Sequence, residues 1–219
     1  MAIITISRGT MSGGRAVAEC LADQLGYPCV ANRVVRDAAL SLGLPEDVVR
    51  EKFETTPHLW SRLNKDRQIY LLAMKAALAD RCLKGDLVYH GLAGQFLLAD
   101  LPAVLRVRLI APMAKRIEYL TTEHHRLTVE SAREFIENVD RERKRWVKVF
   151  FDADVEDPFL YDVTVNQRWL TVETACTGIA ELAGHSIYEV TDEVRDKLEA
   201  FAARCHKQLD ARLSRGTGV

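Results

Sequence analysis

Cysteine is scarce and poorly placed in this chain of 219 residues. Cys20, Cys29, Cys82, Cys176 and Cys205 are scattered, odd in number and never at C-x-x-C spacing. They read as small, mostly buried thiols in a reducing compartment, not as a disulfide framework. An excess of one charge sign is also missing. The formal net charge is −1, so no global field draws the chain to nucleic acid or to a membrane surface, and any electrostatic function must come from local clusters. No stretch approaches the roughly 18 consecutive apolar residues of a membrane span. The start, "MAIITIS", is too short for a signal peptide and lacks a basic leader, which makes a cytoplasmic protein the expectation. Repeats, low-complexity tracts and Pro/Gly-rich linkers are absent as well.

What is present suits one domain with a large enough core to need no covalent staple. Residues 2–7, "AIITIS", form an apolar, β-branched strand. From Gly14 the period changes: Val17, Cys20, Leu21 and Leu25 mark one helical stripe that Gly26 stops. "YPCVA" is a second strand, Arg33 to Leu42 a helix ending at Gly43, and Pro45 the start of a further helical turn. A long helix spans about Leu59 to Leu83. "DLVYHG" (86–91), "AVLRVRLIA" (103–111) and "LYDVTVN" (160–166) supply three more strands. Between the last two lie a helix with Lys115 and Arg116 and a polar helix that Thr128 caps. After the last strand come "TVETACTGIAELAG" and a tail helix, Val190 to Leu213, with "SRGTGV" fraying beyond it. Strands that alternate with helices and are apolar on both faces predict an α/β domain around a mainly parallel sheet.

Such sheets bind ligands beyond the carboxyl ends of their strands. The first strand ends in "SRGTMSGGRA", whose Gly9 to Ala16 nearly fits the phosphate-loop pattern G-x-x-x-x-G-K-[ST]. Glycines let the backbone wrap closely around phosphate oxygens, and successive N–H groups then form an anion nest at the following helix. Arg15 stands where lysine belongs and keeps the positive charge, while Ala16 replaces the hydroxyl that holds magnesium. Arg8, Ser7, Thr10 and Ser12 add polar groups around Gly9, Gly13 and Gly14. The alternative is a strand-to-helix turn whose glycines serve packing. Further along, "DRERKRWVK" (140–148) puts Arg141, Arg145 and Lys148 on roughly one helix face, either a functional cluster or a solvated basic face beside "DADVED". His124 and His125 point apart on a helix and predict no metal site. Trp60, Trp146 and Trp169 read as packing residues.

"ITISRGTMSGGRAVAECLADQLGYPCVANRVVRDAAL" resembles the opening of the cytidylate kinase-like family of P-loop nucleoside-monophosphate kinases. That family's loop carries an arginine at the position of Arg15, and "LVYHGLAGQFLL", "VLRVRLIAPMAKRI", "DRER" and "YDVTVN" follow in the same order, over about residues 2–185. The resemblance implies a three-layer P-loop kinase fold: a five-stranded, mainly parallel sheet flanked by helices. Its kinase-like domain would cover 1–187 with a helical lid at about 124–156, and 188–219 would be a C-terminal helical extension. It implies transfer of the γ-phosphate of ATP to a nucleoside monophosphate or similar small acceptor. Magnesium would be held through phosphates and water, since Ala16 offers no hydroxyl. The backbone from Gly9 to Arg15 would cradle the donor, with Arg15 on the outer phosphates. Arg143, at the family's D-x-x-R position after Asp140, would stabilise the moving group with Arg141 or Arg145.

Arg33 and Arg36 would hold the acceptor, unless they are exposed or pair with Asp37, and Gly91 would line its site. His90 is either a catalyst or an ordinary strand-end histidine. Asn166 either approaches the donor base or caps "QRWLTVETA". The chain departs from the family at Ala16 and at Leu92, where a G-R pair normally brings a phosphate-gripping arginine. Those departures favour the rival reading, a nucleotide- or phosphate-binding regulatory domain without catalysis. Nucleic-acid binding through the basic helix is disfavoured by the neutral net charge. The tail helix, with Val194, Leu198, Phe201 and Leu209, is a packing or homodimer helix. Nothing in the residues themselves selects cytosine.

Overall fold

The computed structural model describes residues 2–49, 64–123 and 127–216. The expected strand at the start is β1 (Ile3–Arg8), and α1 (Gly14–Leu25) follows it. β2 (Cys29–Val30) leads into α2 (Asn32–Leu42), which Gly43 ends in the left-handed region at φ 64°. The long helix α3 (Asn64–Leu83) precedes β3 (Leu87–Tyr89). The beginning expected for α3, residues 59–63 with Trp60, lies outside the described residues, as do His124 and His125. A four-residue helix, α4 (Gly94–Leu97), is too short to leave a periodic signal and was not expected. β4 (Val104–Ile110), α5 (Met113–Glu123), α6 (Val129–Phe151), β5 (Val163–Asn166), α7 (Val172–Ala183) and α8 (Asp192–Gly216) complete the order. Thr128 caps α6 as predicted, its hydroxyl accepting the Ser131 N–H at 3.2 Å. Residues 214–216, expected to fray, remain helical.

The five strands run parallel in the order β2-β3-β1-β4-β5, with β1 central and in register with β4 from Ile3 opposite Val104 to Arg8 opposite Leu109. Alternation along β1 divides the core in two. Ile3 faces a layer built from α2, α3, α4, the end of α6 and α8. Ile4 and Ile6 face α1 and α7. The expected three-layer α/β architecture is therefore present. The C-terminal helix is part of it: Leu198, Phe201, Cys205 and Leu209 are buried in the same core layer as Leu78 of α3. A third, smaller apolar group, Ile117 and Leu120 of α5 with Ala132 and Ile136 of α6, roots the long helix beside the loop residue Met11.

Trp146 is buried and stacks on Phe150 with ring centroids 4.2 Å apart. Trp169 corrects the packing expectation. It is 82% exposed in the turn after edge strand β5, and its main neighbour is the Arg168 guanidinium 5.3 Å from the ring centre. Among the described residues no helix is long and apolar enough to cross a membrane.

The turn after β3 is shaped by Tyr89. Its ring is fully buried and its hydroxyl donates to the Leu92 carbonyl at 3.0 Å, so the chain curls around the side chain. A Cβ on Gly91 would lie 2.3 Å from Tyr89 Cζ, and one on Gly94 would lie 2.7 Å from Cδ1. Gly91→Ala is expected to destabilise the domain by about 1–3 kcal/mol through overpacking. Pairing it with Tyr89→Leu should recover part of the loss in urea denaturation, because the obstructing ring is gone.

Candidate functional site

β1 delivers the glycine loop to the carboxyl edge of the sheet. There the Gly9 N–H donates to the Leu109 carbonyl at 3.3 Å and the Ser12 N–H to the Gly9 carbonyl at 3.3 Å. Ser12 also turns its hydroxyl inward, donating to the same Gly9 carbonyl at 2.7 Å. It is thereby committed to the loop backbone. Met11 takes φ 58° and drops its side chain onto the α5–α6 apolar group. Gly13, at φ 72°, sits at the N-cap of α1.

Each loop glycine also makes room for one side chain from elsewhere. A Cβ on Gly9 would stand 3.6 Å from Arg116 Cζ, one on Gly13 2.6 Å from Gln167 Oε1, and one on Gly14 2.0 Å from Arg8 Cδ. The loop is thus a close-approach surface as well as a turn.

Three arginines, Arg8, Arg116 and Arg143, gather around it from different elements, with Arg108 behind them as an electrostatic neighbour of Arg143. Arg8 ends β1 and donates to the His90 carbonyl. Arg108 of β4 donates to the Val155 carbonyl and lies 3.3 Å from the Tyr161 hydroxyl. Arg116 of α5 donates from Nε to the Thr10 carbonyl at 2.6 Å and pairs with Asp140. Arg143 of α6 donates to the Arg8 carbonyl at 3.0 Å and reaches the Thr10 hydroxyl at 3.3 Å. Burial lowers the Arg143 pKa, and Arg116 and Arg108 lower it further against the pull of Asp140. Burial, with Arg143 close by, brings Arg8 down to about 10. Both arginines still carry their charge at neutral pH.

Asp140 is the counter-charge. Its Oδ1 accepts the Thr10 N–H at 2.9 Å and lies 3.7 Å from Arg143, while Oδ2 holds Arg116. Burial acts to raise its pKa, but the Thr10 hydrogen bond and Arg116 outweigh that and hold it below the usual carboxylate range.

Beside the loop opens a cavity of about 570 Å³. Met74, Tyr89, Leu92, Trp146 and Val155 make its walls apolar, while Arg8, Arg143, His90 and Glu142 bring polar atoms. Burial and then Arg8 lower the His90 pKa, which keeps the ring neutral at pH 7. Its Nδ1 and Glu142 Oε2 are buried without hydrogen-bond partners.

The sequence-predicted residues distribute unevenly. Arg8, Gly9, Thr10, Ser12, Gly13, Gly14 and Arg143 converge at the loop, and Gly91 lines the cavity. Arg15 stands on the first turn of α1 but points outward, 79% exposed, with Nε on Glu19 at 2.8 Å. Arg141 bonds Asn138, and Arg145 bonds Glu142, both on the solvent side of α6. Arg33 and Arg36 are exposed and absent from the cavity lining. Asp37 pairs with Arg81 at 2.6 Å, not with Arg33 or Arg36 as one expectation had it. Asn166 accepts the Arg168 N–H at 3.0 Å and shapes the turn before α7. Arg108, Arg116 and Gln167 were not foreseen.

For the place of Asp140 and Arg143 the available signal is helical phase. Ala132, Ile136, Asp140, Arg143, Val147 and Phe150 share one stripe of α6, so Asp140 and Arg143 stand where apolar residues belong. No group of three or more His, Cys, Asp or Glu that could hold a metal occurs among the described residues.

Asp140→Asn should cost about 1–3 kcal/mol of stability at pH 7, because it leaves Arg116 and Arg143 uncompensated. A carboxylate with a depressed folded-state pKa stabilises above its unfolded value of about 4, and that stability is lost as pH falls through the folded value. The gap between wild type and variant in chemical denaturation should therefore close as pH drops below about 4. A gap independent of pH would show that the charge does not matter.

The chain is similar to known proteins along most of its length. The sequence profile of the cytidylate kinase-like family matches residues 3–168. A cytidylate kinase from Methanothermobacter thermautotrophicus is 29% identical over 178 residues, 79% of this chain and 99% of that one. Among solved structures, an uncharacterized protein from Eubacterium ventriosum superposes with a TM-score of 0.65 at 17% identity, over 84% of this chain and 98% of that one. A shikimate kinase from Acinetobacter baumannii, solved with shikimate, overlaps more loosely: TM-score 0.45, 13% identity, 83% of this chain and 92% of that one. With a glycine loop at the end of β1, a parallel sheet behind it and a family profile spanning most of its length, the chain belongs to the cytidylate kinase-like family.

Proposed function

We propose that the protein transfers the γ-phosphoryl group of ATP to a small acceptor in the cavity beside the loop, a nucleoside monophosphate by family. The observation that carries this reading is the convergence of Arg8, Arg116 and Arg143 on a glycine loop that opens onto a cavity of about 570 Å³. Phosphoryl transfer asks little covalent help of a protein and a great deal of positioning and positive charge. The bond between the γ-phosphorus and its bridging oxygen breaks toward ADP as one forms to an oxygen of the acceptor. A phosphate acceptor already offers an anionic oxygen, so no side chain has to take a proton. Neutral His90 fits a wall of the cavity better than a general base.

In this reading the amides at the start of α1, from Gly13 to Ala16, bind the donor phosphates, since those of Gly9, Thr10 and Ser12 are engaged within the protein. Arg143 and Arg8, which face both the loop and the cavity, stabilise charge on the moving group. Arg15 reaches the outer phosphates only after releasing Glu19, an exposed pair of small cost. Ser12 is engaged with the Gly9 carbonyl, and Ala16 has no oxygen. Magnesium therefore fits as a companion of the nucleotide, held by phosphates and water, where it neutralises phosphate charge. The same two facts support the second reading, a domain that binds nucleotide without turnover.

Mixing the protein with Mg-ATP and a panel of nucleoside monophosphates, while following ADP release and the shift in melting temperature, separates the two. Stabilisation with acceptor-dependent ADP release supports the kinase. Stabilisation alone supports the regulatory domain, and neither signal overturns both. Arg143→Ala should reduce kcat on the order of 10³-fold with ATP affinity nearly kept. Arg15→Ala should act mainly on ATP, raising its KM and removing most of the thermal shift.

A further inference from the structure

Gln167 follows β5 directly and is only 8% exposed. Its backbone is fully employed: the N–H donates to the Ile110 carbonyl at 2.8 Å, and the carbonyl accepts from Lys115 Nζ at 3.1 Å. The side chain is aimed across the carboxyl edge of the sheet at the glycine loop. Its Oε1 occupies the space beside Gly13, 2.6 Å from where a Cβ would stand. The other end of the amide, Nε2, is buried and has no hydrogen-bond partner. A buried donor left unpaired is costly and calls for an acceptor.

Gly13 is also the N-cap of the twelve-residue helix α1. No side chain caps that helix, and no acidic residue lies in its first turn. Its leading N–H groups and the positive end of its dipole therefore have no anion from the protein. An amide donor and a helix terminus, from opposite ends of the sequence, meet at one glycine, and both lack an acceptor. The ligand that satisfies both is an oxyanion with several acceptor oxygens.

We infer that Gln167 binds the phosphate chain of the donor nucleotide, donating from Nε2 to a phosphate oxygen on the β5 side of the loop. This rests on the phosphoryl-transfer reading above. It also explains why residue 13 must be glycine: any side chain there would evict the amide from its place over the loop.

The test compares wild type with Gln167→Leu, which keeps the bulk but removes the donor, and with Gln167→Glu, an isostere that replaces the donor with negative charge. Binding of ATP and of inorganic tripolyphosphate is measured by calorimetry, and steady-state kinetics are run in parallel. Both variants should bind both ligands at least about tenfold more weakly, Gln167→Glu the more so, consistent with one hydrogen bond to a charged group. KM for ATP should rise while kcat at saturating ATP stays within a few-fold. Should Gln167→Leu fail to fold, as judged by circular dichroism, the isosteric Gln167→Glu carries the comparison.

Unchanged affinity in the variants would overturn the assignment and leave the kinase reading standing. Loss of ATP binding with tripolyphosphate binding intact would also overturn it, making Gln167 a reader of the base. A wild type that binds neither ligand would remove the phosphate-loop reading and this assignment with it.

Discussion

The Asp140 carboxylate is what allows several guanidinium groups to share the space around one short loop. Arg8, Arg108, Arg116 and Arg143 are crowded enough that three of them depress the titration of a neighbour. Burial alone would leave such a group strongly repulsive. Asp140 offsets this while also accepting the Thr10 N–H, so charge compensation and loop geometry depend on the same two oxygens. The loop, α5 and α6 are consequently one electrostatic unit. Removing any member changes the field felt by the rest, and single-residue effects there will not add independently.

The fold was largely legible because its signals are local and redundant. The β-branched run 2–7, the stripe begun at Val17, the stops at Gly26 and Gly43, and the Thr128 cap each point to one conformation, and each is realised. The site was legible only in part. Its glycines announce themselves by spacing, and Arg143 by its place after Asp140. Arg108 and Arg116, in contrast, sit in segments that read as an ordinary strand and an ordinary helix. What brings them to the candidate site is register: β4 places Arg108 opposite Ser7, and the first turn of α5 sets Arg116 against Gly9. No window of sequence contains that information. Arg141, Arg145, Arg33 and Arg36 stand apart from that cluster: the first two bond Asn138 and Glu142 on their own helix, and the last two are exposed and outside the cavity lining. A solvated arginine and a functional one look alike until their helix is phased against its neighbours.

The glycines carry a related lesson. Their spacing suggested two alternatives, phosphate wrapping or tight packing, as though one excluded the other. Gly9, Gly13 and Gly14 each make room for a polar side chain from elsewhere, so tight packing and a polar close-approach surface coincide at one loop. Gly91, expected at a substrate, also lines the cavity, but its lack of a Cβ answers to the ring of Tyr89.

The two apolar anchorages of α6 have a mechanical consequence. Ala132 and Ile136 fix the helix to α5, while Trp146, Val147 and Phe150 fix it to the central core, with Arg143 on the span between them. Arg143 is therefore placed by two supports at once. A change in either apolar group would move its guanidinium relative to the Thr10 hydroxyl and the Arg8 carbonyl, so packing residues remote from the loop set the geometry around it.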